Sequence, residues 1–200
     1  MRMNCSATFV ALLWALTISV LTTSLLTTSA LAHELQDNRA TLVLRDRQHL
    51  ALTLFVDYPK VLHQVLSPQS SLQEFVMLHS AMKPQELQAQ LLVAQRKLQV
   101  DTKVVLATGK TAMLTQWVWP DMAGVQKLLQ QRAMQAIVAP KDHAHMVPME
   151  IRAEAKSSNT SDFNSLTLQL PSALQPVLLV SYQPKQVWLK PNTPSPVISF

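Results

Sequence analysis

Alternating apolar and polar residues predict a pair of strands near the start of the chain. Residues 50–56, LALTLFV, place an aliphatic side chain at every second position, which is the period of a strand that buries one face. A polar turn joins this strand to another apolar stretch, so residues 41–58 are predicted to form a hairpin. Pro59 then marks the change to a helical pattern.

The same order of features recurs further along the chain. Residues 103–120 predict a second hairpin, with its turn at Gly109, and a second helix follows it. The chain is therefore predicted to contain two hairpin–helix units, residues 41–66 and residues 103–129. Internal duplication explains the likeness, and so does chance, because alternating aliphatic strands resemble one another.

Apolar residues spaced three and four apart predict about four helices. The first is short and follows Pro59, and the second begins at a capping box in residues 71–74, SLQE. The third starts at Pro84 and has a narrow apolar stripe with glutamine, lysine and arginine on its other faces. Asp121 is placed to cap the fourth helix, which is predicted to continue to about Val138.

Strand patterns return in the last third of the chain. Alternation or apolar runs predict strands over residues 149–156, 166–170, 177–182 and 186–190. The predicted fold class is therefore α+β, with one or more antiparallel sheets of seven or eight strands and about four helices.

Residues 1–32 have the features of a secretory signal peptide. Arg2 precedes a long apolar run, and Ala30 and Ala32 provide the small residues that signal peptidase requires. Cleavage would make His33 the first residue. The alternative is an uncleaved anchor, because the run approaches the length of a membrane span. After cleavage, no membrane span is predicted.

The remainder is predicted to be a single α+β domain, residues 33–190, with a proline-rich tail over residues 191–200. The one cysteine, Cys5, lies in the signal peptide. The exported protein would therefore have no disulfide, thiol nucleophile, iron–sulfur cluster or attached c-type haem. A cysteine-free exported domain is typical of a bacterial periplasm, which is the predicted location.

Composition argues against several classes of function. The predicted mature chain has two glycines, Gly109 and Gly124, too few for a phosphate-binding loop, a dinucleotide fingerprint or a nucleophile elbow. The 17 lysines and arginines are scattered among 12 acidic residues, and no nucleic-acid-binding module or basic cluster is found. We therefore predict a protein that is not an enzyme and does not bind nucleic acid.

Histidines provide one candidate site, for copper. A free amine and imidazole at His33 would chelate Cu(II), and the loop DHAHMVPM adds His143 and His145 with thioethers from Met146 and Met149. This arrangement is similar in type to exported copper-handling proteins whose mature chains begin with histidine, although the likeness covers one terminus and one loop. Ordinary loop histidines, and a core position for Met149, are the alternative.

Two tryptophans provide a second candidate, a partner surface. Strict alternation puts Trp117 and Trp119 on one strand face with Met113, and Leu114 on the opposite face. If helices cover one side of the sheet, both indoles are exposed and suit a protein, glycan or lipid partner. If both sides are covered, the indoles belong to the core.

These observations predict an exported, periplasmic binding or accessory protein without catalytic activity or a required cofactor. It would act through a contact surface for a periplasmic protein or a small ligand. The first alternative is a copper-binding or copper-delivery protein that uses His33 with His143 or His145. The second is a hydrolase whose site is assembled from residues scattered along the chain.

Overall fold

A computed structural model describes residues 38–45, 47–138, 147–159 and 162–184, which belong to one compact unit. The strands are β1 (Arg39–Arg45), β2 (His49–Val56), β3 (Lys103–Leu106), β4 (Thr111–Ala112), β5 (Thr115–Val118), β6 (Met149–Lys156), β7 (Leu166–Gln169) and β8 (Leu178–Tyr182). The helices are α1 (Tyr58–Leu66), α2 (Leu72–Ser80), α3 (Pro84–Asp101) and α4 (Met122–Val138), and one 3₁₀ turn spans Ser172–Leu174.

The first predicted hairpin forms the centre of a five-stranded sheet in the order β5-β6-β2-β1-β8. β1 and β2 pair antiparallel with Leu42 opposite Leu52, and β6 pairs antiparallel with β2 on the other side, with Ala153 opposite Leu52. Because all three residues point to the same face, they are buried together. The strands predicted from alternation over residues 50–56 and 149–156 are thus confirmed.

The four helices bury their apolar stripes in the same hydrophobic cluster as this sheet face. α2 begins at the predicted capping box: the Ser71 hydroxyl accepts from the Glu74 N–H, and the Glu74 carboxylate accepts from the Ser71 N–H. Asp121 caps α4 through the Gly124 N–H. Local side chains therefore set where both helices start.

The second predicted hairpin forms only in part. Residues 103–120 were expected to give two paired strands, but the chain leaves the first pairing after Ala112. β4 pairs with β3 in a three-stranded sheet, β4-β3-β7, whereas β5 pairs with β6 in the five-stranded sheet. The strands of the unit 103–129 are therefore divided between two sheets, whereas those of the unit 41–66 pair with each other.

The five-stranded sheet contains both parallel and antiparallel strand pairs, which corrects the expectation of purely antiparallel pairing. The α+β class, four helices and eight strands are confirmed in the described residues, but β8 runs parallel to β1. Asn38 explains this placement: its amide donates to the Leu174 carbonyl and accepts from the Asp57 N–H, while its carbonyl accepts from the Leu178 N–H. The predicted strand over residues 186–190 and the tail over residues 191–200 lie outside the described residues.

Candidate functional site

A cleft of about 400 Å³ opens between the two sheets. Leu42 and Leu50, from β1 and β2, are buried at one side of it, and Phe163, which precedes β7, is buried at the other. Half-buried leucines of β1 and β7 add to the lining. The side chains of β8 complete it and remain open to solvent. We call this cleft, with its β8 wall, the β8 cleft.

The lining of the β8 cleft contains more apolar than polar side chains, and its polar groups are neutral. The polar side chains are an asparagine, a glutamine, two serines and the phenol of Tyr182. No carboxylate, lysine, arginine or histidine is among the described residues that line it. Its leucines offer apolar contacts, and its amide and hydroxyl groups offer hydrogen bonds.

β8 is an exposed edge strand. It pairs with β1, and no other described strand pairs with its second edge. All five of its residues are exposed, including Leu178, Leu179, Val180 and Tyr182, which are 45, 49, 40 and 53% exposed. Soluble proteins usually protect such an edge with charges, proline or a covering element, because its backbone groups can pair with another chain. β8 contains no charge and no proline.

Register places the side chains of β8 on two faces. Leu179 and Ser181 lie beside Ala40 and Leu42 and share the face that lines the β8 cleft. Leu178, Val180 and Tyr182 share the opposite face of the sheet, although Tyr182 also reaches the cleft. Apolar side chains are therefore exposed on both sides of the same edge.

The predicted tryptophan surface is half-buried. Trp117 and Trp119 stack with their ring centroids 5.3 Å apart and their planes at 11°. Both pack against the hydrophobic core, and the Trp117 indole N–H donates to the Leu114 carbonyl at 3.2 Å. The two indoles are thus neither fully exposed nor fully enclosed.

A β-bulge in β5 changes the predicted faces around these indoles. Thr115 pairs with Glu154 and Val118 with Arg152, so one strand advances three residues while its neighbour advances two. Gln116 takes up the difference with φ of 52°. The prediction that Leu114 faces away from the indoles is wrong, because Leu114 packs against the core with them, while Met113 is 79% exposed.

The candidate copper ligands His33, His143 and His145 lie outside the described residues. Within the part of the chain that the structure describes, no group of three or more histidine, cysteine, aspartate or glutamate side chains is close enough to hold a metal ion. His63 and His79 are buried in α1 and α2, where they flank the Phe75 ring.

Hydrogen bonds and ring contacts hold both of these buried histidines in place. His63 donates through Nε2 to the Ser70 carbonyl at 2.8 Å and lies 3.4 Å from the Gln64 amide through Nδ1. His79 donates through Nδ1 to the Phe75 carbonyl at 2.8 Å and stacks on the Phe75 ring, with centroids 3.8 Å apart. Burial lowers the pKa of His79, and the hydrogen bond to Phe75 opposes that shift.

Sequence reasoning missed the β8 cleft. One signal was present: residues 177–180, VLLV, are apolar without alternation. Such a run indicates a strand with two apolar faces. Its position at a sheet edge depends on pairing with β1, far away in the chain, which the pattern does not encode.

Comparisons of the chain with protein-family models, curated proteins and solved structures find no match. Among the described helices, none has both the length and the apolar character needed to cross a membrane.

Proposed function

We propose that this protein is an exported, non-enzymatic binding protein that holds an extended apolar segment of a partner protein along β8. The observation that carries the proposal is an edge strand with apolar side chains exposed on both faces, which also forms a wall of the apolar β8 cleft. The predicted signal peptide in residues 1–32 supports a partner in the periplasm.

The edge of β8 that no described strand pairs with favours an extended peptide as the ligand. A strand added to a sheet edge gains affinity from main-chain hydrogen bonds and specificity from pockets that receive alternate side chains. Every second side chain of the added strand would lie with Leu179 on the cleft side, and the others would lie with Leu178 and Val180. Because both sets of neighbours are apolar, the preferred segment is apolar on both faces.

The expected affinity is moderate. Covering four half-exposed aliphatic or aromatic side chains contributes roughly 4 kcal/mol. That amount alone corresponds to a Kd of about 1 mM, so backbone hydrogen bonds and side chains in the cleft must supply the rest. Binding should therefore be sought at micromolar to millimolar concentrations.

A labelled peptide tests this function directly. We expect the fluorescein-labelled peptide KVLVLVK to bind the protein, as measured by fluorescence anisotropy. The same peptide with alternate backbone nitrogens methylated keeps its side chains but loses hydrogen-bond donors, so it should bind much more weakly. Equal binding of the two peptides would mean that no strand is added, and the proposal would fail.

Matched variants locate the binding. Leu179→Lys places a charge on the cleft side of β8 and should weaken peptide binding about tenfold or more. Leu78→Lys makes the same change on α2 at an exposed leucine and should have no effect. A chain ending at residue 184 provides a further control. If only that shortened chain binds the peptide, residues 185–200 of the protein itself occupy the edge, and partner binding is excluded.

Copper binding through His33 with His143 or His145 stays a prediction and has its own test. A protein that begins at His33 should bind one Cu(II) ion in a titration followed by electron paramagnetic resonance. One extra residue ahead of His33 should abolish this binding, because it removes the free amine from the chelate. Equal, weak binding by both proteins would eliminate the copper hypothesis.

A further inference from the structure

The backbone groups of β8 point alternately to its two edges. The Leu178 N–H donates to the Asn38 carbonyl, so the backbone groups of Leu178 point towards β1. Because this direction alternates along a strand, the N–H and carbonyl groups of Leu179 and Ser181 point to the second edge of β8. No described strand pairs with that edge. It therefore presents two donors and two acceptors to an added strand.

The second edge of β8 matches a second copy of itself. In an antiparallel pair, some directly opposed residues exchange both main-chain hydrogen bonds, and these alternate with opposed residues that exchange none. A two-fold axis at Val180 places Leu179 of each copy opposite Ser181 of the other copy, and both of these pairs exchange bonds. Four hydrogen bonds would then join the copies, and the two five-stranded sheets would form one sheet of ten strands.

The side chains of β8 also suit this pairing. Val180 would lie opposite Val180 of the other copy, and Leu178 opposite Tyr182, all on one face of the sheet. The strand is uncharged, so no like charges of β8 meet across the axis. Each copy contributes the four half-exposed large side chains of the strand, so the pairing covers eight. A two-fold contact needs no other surface, because the same residues serve on both sides.

We infer that the partner held along β8 is a second copy of this chain, in a symmetric dimer joined edge to edge. The inference rests on the proposed function, because both use main-chain pairing at the second edge of β8. A strand of five residues gives a small interface, and small interfaces belong to weak or transient complexes. We therefore expect a dissociation constant on the order of 10 µM.

Sedimentation equilibrium tests for the dimer, at concentrations from about 1 µM to about 1 mM. The sample is the chain that begins at His33, which contains every described residue. Leu179→Lys enters a symmetric interface twice, so a tenfold loss per copy becomes about a hundredfold increase in the dissociation constant. Leu78→Lys, at an exposed leucine of α2, should leave the dissociation constant unchanged.

Cysteine crosslinking tests the register. The chain from His33 has no cysteine, because Cys5 lies ahead of it. In the inferred dimer the two Val180 residues are directly opposed and within reach of a disulfide, so Val180→Cys should crosslink on oxidation. The two Leu178 residues would lie about 14 Å apart, which is too far for a disulfide. Leu178→Cys, on the same face and similarly exposed, is therefore the matched control.

Peptide binding separates failure of this inference from failure of the proposed function. If KVLVLVK binds while the protein stays monomeric, another protein is the partner, so the proposed function stands and this inference fails. If the protein neither dimerises nor binds the peptide, both fail. If the dimer forms at β8, the peptide should dissociate it, because both occupy the same edge.

Three further results would overturn the inference. One is a dimer that Leu179→Lys does not weaken, and another is equal crosslinking of Val180→Cys and Leu178→Cys. The third is a dimer formed only by a chain that ends at residue 184, because residues 185–200 would then occupy the edge. If Leu179→Lys unfolds the protein, the two cysteine variants still decide the question.

Discussion

Gln116 adopts a left-handed backbone conformation, with φ of 52°, inside the bulge of β5. This conformation costs an ordinary L-residue roughly 1–2 kcal/mol, and it is least favourable for β-branched side chains. We predict that Gln116→Val lowers the free energy of unfolding by more than about 1 kcal/mol. Gln116→Asn should stay within about 0.5 kcal/mol of the unchanged protein, because asparagine tolerates this conformation.

Urea denaturation of both variants measures the difference, and equal stabilities would mean that the bulge is not held at Gln116. The residues around Gln116 do not indicate a bulge, because a glutamine between Thr115 and Trp117 also fits a regular strand. The bulge reflects how β5 must pair with β6. For this reason the sequence pattern assigned Leu114 to the wrong face.

At the scale of elements, the helices were predictable because their signals are local. Ser71 and Glu74 form a capping box that is visible in four consecutive residues, and the structure contains both of its hydrogen bonds. β6 was likewise predicted from its own alternation. The strands of residues 103–120 were also predicted, but their division between two sheets was not, because it depends on pairing with β6 and β7, which lie far along the chain.

The capping box gives a prediction for α2. Ser71→Ala removes the side-chain acceptor for the Glu74 N–H and should lower the free energy of unfolding by about 1 kcal/mol. Gln73→Ala changes an exposed residue in the same helical turn without touching the cap, and should be nearly neutral. Chemical denaturation compares the two variants. If Gln73→Ala costs as much as Ser71→Ala, the capping box is not what stabilises the start of α2.

At the scale of the whole molecule, buried His79 should make stability depend on pH. Burial lowers its pKa from the ordinary value of 6.5. Below pH 6.5 the unfolded chain therefore binds a proton that the folded protein resists, so stability falls as the pH decreases. The stabilising contribution of Glu74 has a different window: serine hydrogen bonds lower the pKa of its carboxyl, and this contribution is lost below about pH 4.5.

Thermal unfolding between pH 7 and pH 5 tests the role of His79. We predict that Tm falls on acidification in the unchanged protein and falls less in His79→Phe. His49→Gln removes an exposed histidine on β2 and should keep the full pH dependence. A decrease of the same size in His79→Phe would show that another group causes the effect.

The candidate sites were less predictable than the fold. His33, His143 and His145 are predicted from ligand chemistry and lie outside the described residues, and Trp117 and Trp119 are predicted from strand alternation. The β8 cleft arises instead where residues from distant parts of the chain meet, as Leu42 of β1 and Leu179 of β8 do. Contacts of this kind depend on tertiary packing, which cannot be inferred from a local sequence pattern.

The parallel pairing of β8 with β1 has a consequence for the order of folding. Asn38 and Leu174, which hold the start of this pairing, are 136 positions apart. The five-stranded sheet therefore cannot be completed until nearly all described residues have been synthesised, and closing so long a loop makes folding slow.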